Sequence, residues 1–488
     1  MKPTPSLVVR AGALRPALAA LAKVVKKGPA VPELLRHLKV ETVNRTTLRF
    51  TTSDGEAFFR IDLPADISEN TEAFLVPLDR LHSQLRGART QDPIPIRPNK
   101  APAASTYPEP PQFRSTPIEL DSFTVTALRQ ALACSSTDPT RSILQGAFLD
   151  PSGKEGVRIV GTDGRHLFRS RSLTITGLRE GLILPALPVL DSPLLRAPGL
   201  WRLYLPGPRE KECPEAFRLD GGSWSLLGKR IEGSYPSYSQ VIPREAEVKI
   251  RLSIPETLRE PLLHLVERLP GRSLRNRPLG IRLDREGVSV LARENEEDSY
   301  EQVRLPQAES TGENLTVLVN RDYFLRALRC GMTRLEFIDE LSPVRCQGET
   351  GLMIIMPVRA IGEVRIEHSR PLVFPEGGHL SPSRKVIQRG SAGPEPARPL
   401  PDDTPMPGKP ASRKRELRTR PESEAIPPPA LATAAETVTE IQSALKAARS
   451  KLSQLTAFLR LNRRQQRETE REVRTARKAL RTLRPVEP

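Results

Sequence analysis

A motif that returns along the chain constrains its fold more than any other feature. LRFTTSDGEAFFR begins at Leu48 and VRIVGTDGRHLFR at Val157; aligned on Asp54-Gly55 and Asp163-Gly164 they lie 109 residues apart. Each reads as strand, two-residue turn and strand, because Asp-Gly supports the positive φ angles that a tight hairpin needs. A strand running into a helix follows in LVPLDRLHSQL from Leu75, ILPALPVLDSPLL from Ile183 and LVNRDYFLRAL from Leu318. Pro77 and Pro185 suit a helix start, where the missing N–H costs nothing. An earlier helix stands near Ala13, Val125 and Glu256, which lie 64, 60 and 64 residues before Pro77, Pro185 and Asn320. Ser253 and Glu256 make a capping-box pattern for the third of these. The recurrence predicts an α+β architecture: three tandem repeats of two helices packed on antiparallel sheet, each burying its helices against its own sheet.

Those six helices share a charge bias. Arg10, Arg15, Lys23, Lys26 and Lys27 flank or lie in the first, and Arg80 and Arg86 in the second. Arg129 and Arg141 stand near the third, and Arg196 follows the fourth. Arg259 and Arg268 lie in the fifth, and Arg321, Arg326 and Arg329 in the sixth. A solvated amphipathic face would account for any one helix. Recurrence in all six favours a shared basic wall that holds duplex DNA by its phosphates, without reading bases. The whole chain agrees: a net charge of +17 and a pI near 10.1 favour a polyanionic partner, nucleic acid ahead of a membrane surface.

Beyond Ala360 the composition changes. Residues 361–432 are rich in Pro, Ser, Arg and Glu and cannot bury enough apolar area to offset chain entropy, so they read as a disordered linker. In 433–485 apolar or small residues recur every three or four positions (Val438, Ile441, Leu445, Ala448, Leu452, Leu455, Leu459, then Val473, Ala476, Leu480, Leu483), a coiled-coil or helical-hairpin pattern. Its second half is Arg-rich, a solvated face or a DNA-contacting one. The four cysteines (Cys134, Cys213, Cys330, Cys346) form no CxxC pair, which points away from a disulfide framework or zinc site and towards a reducing cytosol. The apolar run Ala11–Val25 is broken by Arg15, Pro16 and Lys23, so it reads as an amphipathic helix, not a signal peptide. No stretch reaches the roughly 18–20 apolar residues of a membrane span. No cofactor or metal is expected. An enzyme is not expected either: Asp163 and His166 sit three apart across a hairpin and need not face one another, with no nucleophile nearby. GGSWSLLGKR misses the phosphate-loop spacing and has Arg230 where a Ser or Thr should hold magnesium.

Four stretches, VRIVGTDGRHLF, EGSYPSYSQVIP (Glu232 to Pro243), LVNRDYFLRAL and LMIIMPVRA, occur in the order and separation of the signatures of one family. Over residues 1–360 the chain resembles the bacterial DNA polymerase III beta subunit, the sliding clamp. The resemblance implies the DNA-clamp fold with domains 1–116, 117–246 and 247–360, the first shortened, and a body that closes at Ala360. It implies a head-to-tail homodimeric ring around duplex DNA, in the cytoplasm at the nucleoid, acting as a processivity factor with no chemistry of its own. DNA polymerase and clamp loader would dock by short peptides in a pocket comprising Leu144, Thr162, Gly164, Arg165, His166, Leu167, Pro236, Gln240, Val241, Leu341, Ile354, Met356 and Pro357. Leu352 and Ile355 would be core.

The chain departs from the family in places. Arg165-His166 reverses the usual order, Ser237 replaces an Asp, and Gln240 stands where a basic residue is common. The Pro-rich run after Gly87 offers one strand where the family has three, although the acidic edge expected on the third domain is present (Glu294, Glu296, Glu297, Asp298, Glu301). An alternative follows from that shortening: a clamp-like paralogue without a closed ring, serving as a DNA-binding scaffold through its basic tail. Within the tail, Gln454, Leu455 and Phe458 resemble the peptides that enter clamp pockets, so the tail would compete with polymerase in cis.

Overall fold

The computed structural model describes residues 7–25, 31–68, 71–98, 103–153, 155–197, 199–207, 214–359, 364–366 and 372–373. The chain divides into two compact units, Met1–Val386 and Ile387–Pro488, and every described residue belongs to the first. The coiled-coil segment, its Gln454-Leu455-Phe458 motif, and Lys26 and Lys27 lie outside the described residues.

Among the described residues five α-helices punctuate the strands: α1 (Ala11–Leu21), α2 (Leu78–Leu85), α3 (Ser122–Cys134), α4 (Glu256–Arg268) and α5 (Arg321–Arg329). Each turns an apolar stripe inward; in α1 the buried set is Ala11, Leu14, Ala17, Leu18, Ala20 and Leu21. Asp121 caps α3 by accepting from the Thr124 amide at 2.7 Å, and Asn320 caps α5 by accepting from Asp322 N at 2.9 Å. The capping box expected at Ser253 does not form: Ser253 ends the strand Ile250–Ser253, and Pro255 precedes α4 without a side-chain cap. The fourth expected helix differs as well. After the strand Leu182–Pro185 the chain makes two 3-10 turns, Pro188–Asp191 and Pro193–Arg196, because Pro193 cannot donate the amide that would carry a helix on from the first turn.

The helices and turns form an unbroken series of neighbours. α2 packs on α1, and α1 packs on the turn Pro193–Arg196. Arg129 of α3 donates to Leu195 O at 2.6 Å, Gln130 donates to Cys330 O beyond α5 at 3.3 Å, and α5 packs on α4.

The repeats do not keep private sheets. In an eight-stranded sheet, Phe58–Pro64 of the first repeat pairs antiparallel with Trp224–Lys229 of the second. In a nine-stranded sheet, His166–Ser170 of the second pairs antiparallel with Gly351–Ile355 of the third. Half of one repeat thus continues into half of the next, and the edge amides and carbonyls of both are satisfied. The run GGSWSLLGKR, which misses the phosphate-loop spacing, contains such a junction strand, Trp224–Lys229.

Both Asp-Gly motifs fold alike, though their loops are longer than two residues. Asp54 Oδ1 accepts from the amides of Glu56 and Ala57 at 3.0 and 2.8 Å; Asp163 Oδ1 accepts from Arg165 and His166 at 2.8 and 3.0 Å. Gly55 and Gly164 take φ of 96° and 86°, open to glycine without strain.

The first repeat is short in its second half. Among the described residues only Pro93–Pro95 follows α2 there, paired with Leu7–Arg10 in a three-stranded sheet; the next strand, Ile118–Leu120, already belongs to the eight-stranded one. The third repeat has a sheet ordered Leu315–Asn320, Pro278–Asp284, Gly287–Ala292, Glu301–Arg304 and Leu372–Val373. The packed body therefore does not close at Ala360, because Val364 and Ile366 also pack on a cluster of Leu291, Tyr300 and Leu318.

Candidate partner-peptide pocket and basic helix row

Alternation along Gly351–Ile355 builds the pocket. Met353 and Ile355 point into the main core, while Leu352 and Ile354 join Val160 and Leu167 in a separate cluster covered by Tyr235, Tyr238 and Ile242. Leu352 is therefore buried on the face opposite Ile355. Beside this cluster lies a cavity of about 230 Å³ lined by Leu144, Thr162, Gly164, Arg165, His166, Leu167, Pro236, Ser237, Tyr238, Val241, Ile354 and Met356. Ten of the thirteen residues expected there line it. Val241 and Met356, 49 % and 42 % exposed, form an apolar rim that a partner can cover.

Three expected residues stand elsewhere. Gln240 is exposed on the adjoining turn, Leu341 is 61 % exposed on a loop fixed by Asp339, and Pro357 bridges to Val319 as the chain leaves the pocket. Ser237 and Tyr238 were missed, although the run EGSYPSYSQVIP contains them. Tyr238 donates to Asp150 Oδ2 at 2.7 Å and separates the cavity from a larger cleft of about 680 Å³ that holds Arg158 and Arg179.

The reversed Arg165-His166 pair has a structural reason. His166 is 2 % exposed, whereas Arg165 is exposed. Asp163 and His166 do face one another: His166 Nδ1 lies 2.8 Å from Asp163 Oδ1. Arg326 Nη1 lies 2.8 Å from His166 Nε2, and arginine can only donate, so Nε2 accepts and the proton sits on Nδ1, donated to Asp163. Tyr323 stacks on the ring at 4.1 Å and donates to Asp163 Oδ2 at 2.7 Å. Burial lowers the His166 pKa, Asp163 partly offsets this, and Arg326 lowers it further. Burial pushes the Asp163 carboxyl up, but the His166 and Tyr323 hydrogen bonds and the facing imidazole outweigh it and hold it well below the usual range. Burial, then Asp163, push the Tyr323 hydroxyl up to about 12. All these groups are spent on one another, so the cluster ties α5 of the third repeat to the hairpin of the second.

The basic residues sort by what holds them. Arg10, Arg15, Lys23, Arg86, Arg141, Arg196 and Arg268 are exposed along the helix row. Arg15 donates to Ala88 O at 2.7 Å and Arg141 to Asp163 O at 2.9 Å, so their positions are fixed. Arg80, Arg129 and Arg259 are half-buried; Arg259 is paired with Glu256 at 2.5 Å and Glu260 at 3.4 Å. Arg321 does not fit a DNA contact. It is 0 % exposed and donates to Leu269 O at 2.8 Å and Pro270 O at 2.5 Å, holding the end of α4. Arg326 is likewise committed to His166. Among the described residues no group of side chains has metal-ligand geometry, and no helix is long and apolar enough to cross a membrane.

No family model matches the chain. A curated relative, the beta sliding clamp of Synechococcus elongatus, is 24 % identical over 368 residues, 69 % of this chain and 94 % of the relative. Among solved structures, the DNA polymerase beta subunit of Streptococcus pyogenes superposes with a TM-score of 0.58 at 16 % identity, over 72 % of this chain and all of that one. The Bartonella birtlesii sliding clamp, solved bound to griselimycin, gives 0.59 at 20 % identity over 73 % of this chain and 100 % of its own. The fold is thus that of bacterial DNA polymerase III beta subunits.

Proposed function

We propose that the chain is a DNA sliding clamp, a processivity factor without catalysis of its own that tethers DNA polymerase to duplex DNA. It acts in the cytoplasm at the nucleoid, and the ring is a head-to-tail homodimer. Polymerase and clamp loader dock by short peptides whose leucine and phenylalanine side chains enter the cavity rimmed by Val241 and Met356, at the junction of the second and third repeats. Exposed Arg15, Lys23, Arg86, Arg196 and Arg268 meet phosphates along the helix row, and their weak, sequence-independent contacts suffice because enclosure, not affinity, supplies residence time. The observation that supports this reading is the continuity of sheet from repeat to repeat, which sets the helices and 3-10 turns of successive repeats in one row.

A second reading, a clamp-like scaffold without a closed ring, is favoured by the reduction of the first repeat's second half to Pro93–Pro95. Topology separates the two. The full chain is placed on a nicked circular duplex by the clamp loader of its own cells, then washed in high salt. The clamp reading expects retention on the circle and rapid loss once the circle is linearised. Equal loss from circle and linear duplex would overturn it in favour of the scaffold.

A further inference from the structure

The two long sheets follow one rule. The third strand of a repeat's first half (Phe58–Pro64, then His166–Ser170) pairs antiparallel with the last strand of the next repeat's second half (Trp224–Lys229, then Gly351–Ile355). By that rule Glu301–Arg304 of the third repeat should also carry an antiparallel strand. Among the described residues no repeat remains to supply it, so on the clamp reading the strand comes from the first repeat of a second copy.

The edge is already occupied. Val358 N donates to Leu318 O at 2.7 Å as the chain leaves the pocket strand and crosses onto the third repeat's sheet. Val364 and Ile366 then cover Leu291, Tyr300 and Leu318. Tyr300 N donates to Arg365 O at 2.8 Å, Tyr300 bridges Ile366, and Leu372–Val373 pairs in parallel with Val303–Arg304. The direction is opposite to that of the two repeat junctions. A short parallel pairing is the weaker kind, so the strap can yield to an antiparallel edge.

We propose that Val364–Ile366 and Leu372–Val373 form a cis strand that masks the third-repeat edge, so that a second copy engages only when this strap leaves. The clamp reading enters only in naming a second copy as the competitor; the strap itself stands on its contacts. The ring is then gated by the chain's own extension, and the extension's start belongs to the folded body.

The test uses the full chain with Val364→Asp and Ile366→Asp together, which put carboxylates against the apolar cluster without touching the two long sheets. Amide exchange at Tyr300 reads the strap, and analytical ultracentrifugation reads the dimer. The expected result is Tyr300 exchange faster by tenfold or more and a dimer dissociation constant lowered by about tenfold or more. A second variant, Arg304→Cys with Val373→Cys at paired positions, should lock the strap by a disulfide and leave the oxidised chain monomeric, with dimer returning on reduction. Unchanged Tyr300 exchange in the aspartate variant overturns the strap. Faster exchange with no gain of dimer overturns the masking of a second copy, and the circular-DNA experiment then decides the clamp reading separately.

Discussion

The contact between Tyr323 and Asp163 ties two repeats beneath the pocket, and Tyr323→Phe isolates it. The substitution leaves the ring on His166, stacked at 4.1 Å, and opens no cavity. It removes one hydrogen bond of 2.7 Å to an ionised carboxylate. Hydrogen bonds to charged groups contribute about 1.5–3 kcal/mol. Asp163 keeps the amides of Arg165 and His166, and its side chain is 21 % exposed, so water can take the vacated place. The low end applies, about 1.5 kcal/mol, or roughly a tenfold change in the folded-to-unfolded ratio. Urea unfolding of the parent, Tyr323→Phe, Asp163→Asn and the double variant gives a cycle whose coupling should be about 1–1.5 kcal/mol. There is also an acid signature. The folded Asp163 pKa lies below the unfolded value of 3.8, so its contribution is present above that value and is lost as pH falls through the folded one. Without the Tyr323 hydroxyl that loss begins at higher pH. Single-variant effects that add within about 0.3 kcal/mol, or unchanged acid behaviour, would refute the claim that this bond holds the repeats together.

At the pocket, Met356→Asp should weaken binding of a synthetic leucine- and phenylalanine-bearing polymerase peptide by about tenfold or more, by placing a carboxylate against an apolar guest; Leu341→Ala, off the cavity, should leave fluorescence-polarisation affinity within about twofold. For His166 the folded pKa lies below the ordinary 6.5, so the unfolded chain takes up the proton first. Stability is then full above about 6.5 and declines as pH falls towards the folded value, a decline that unfolding curves should show and that His166→Gln should reduce.

The repeat was legible because it is written in local chemistry. Asp54 and Asp163 cap their loops through backbone amides two and three residues on, a signal carried within four residues. The pocket was legible only through the family resemblance, because residues 352–356 are an unbroken apolar run that hides which side chains turn outward, and it fails at Leu341, whose loop position depends on Asp339. Sheet sharing was not legible, because alternation tells which face of a strand is buried and says nothing of which strand lies beside it. Arg321 was misread for a related reason. Its helix position looks like any solvated arginine, and what buries it is the pair of carbonyls at Leu269 and Pro270, some 50 residues away in sequence. The strap had a readable signal in Val364-Arg365-Ile366, alternating apolar and polar, but the Pro-rich composition of 361–432 masked it.

The shortened first repeat and the strap bear on the same pairing. An open strand edge is a template for association unless it is paired, blunted or covered. On the first repeat the outer strand is Pro93–Pro95, and its two prolines remove donors from the side that would meet another sheet. On the third repeat the edge is Glu301–Arg304, and there covering by Leu372–Val373 does what the prolines do at the other end. The two devices blunt the two edges that would meet one another in the ring proposed above. Ring closure as proposed above therefore requires that the strap leave one end and that the other offer a proline-bordered strand, a narrower demand than apolar contact alone would make.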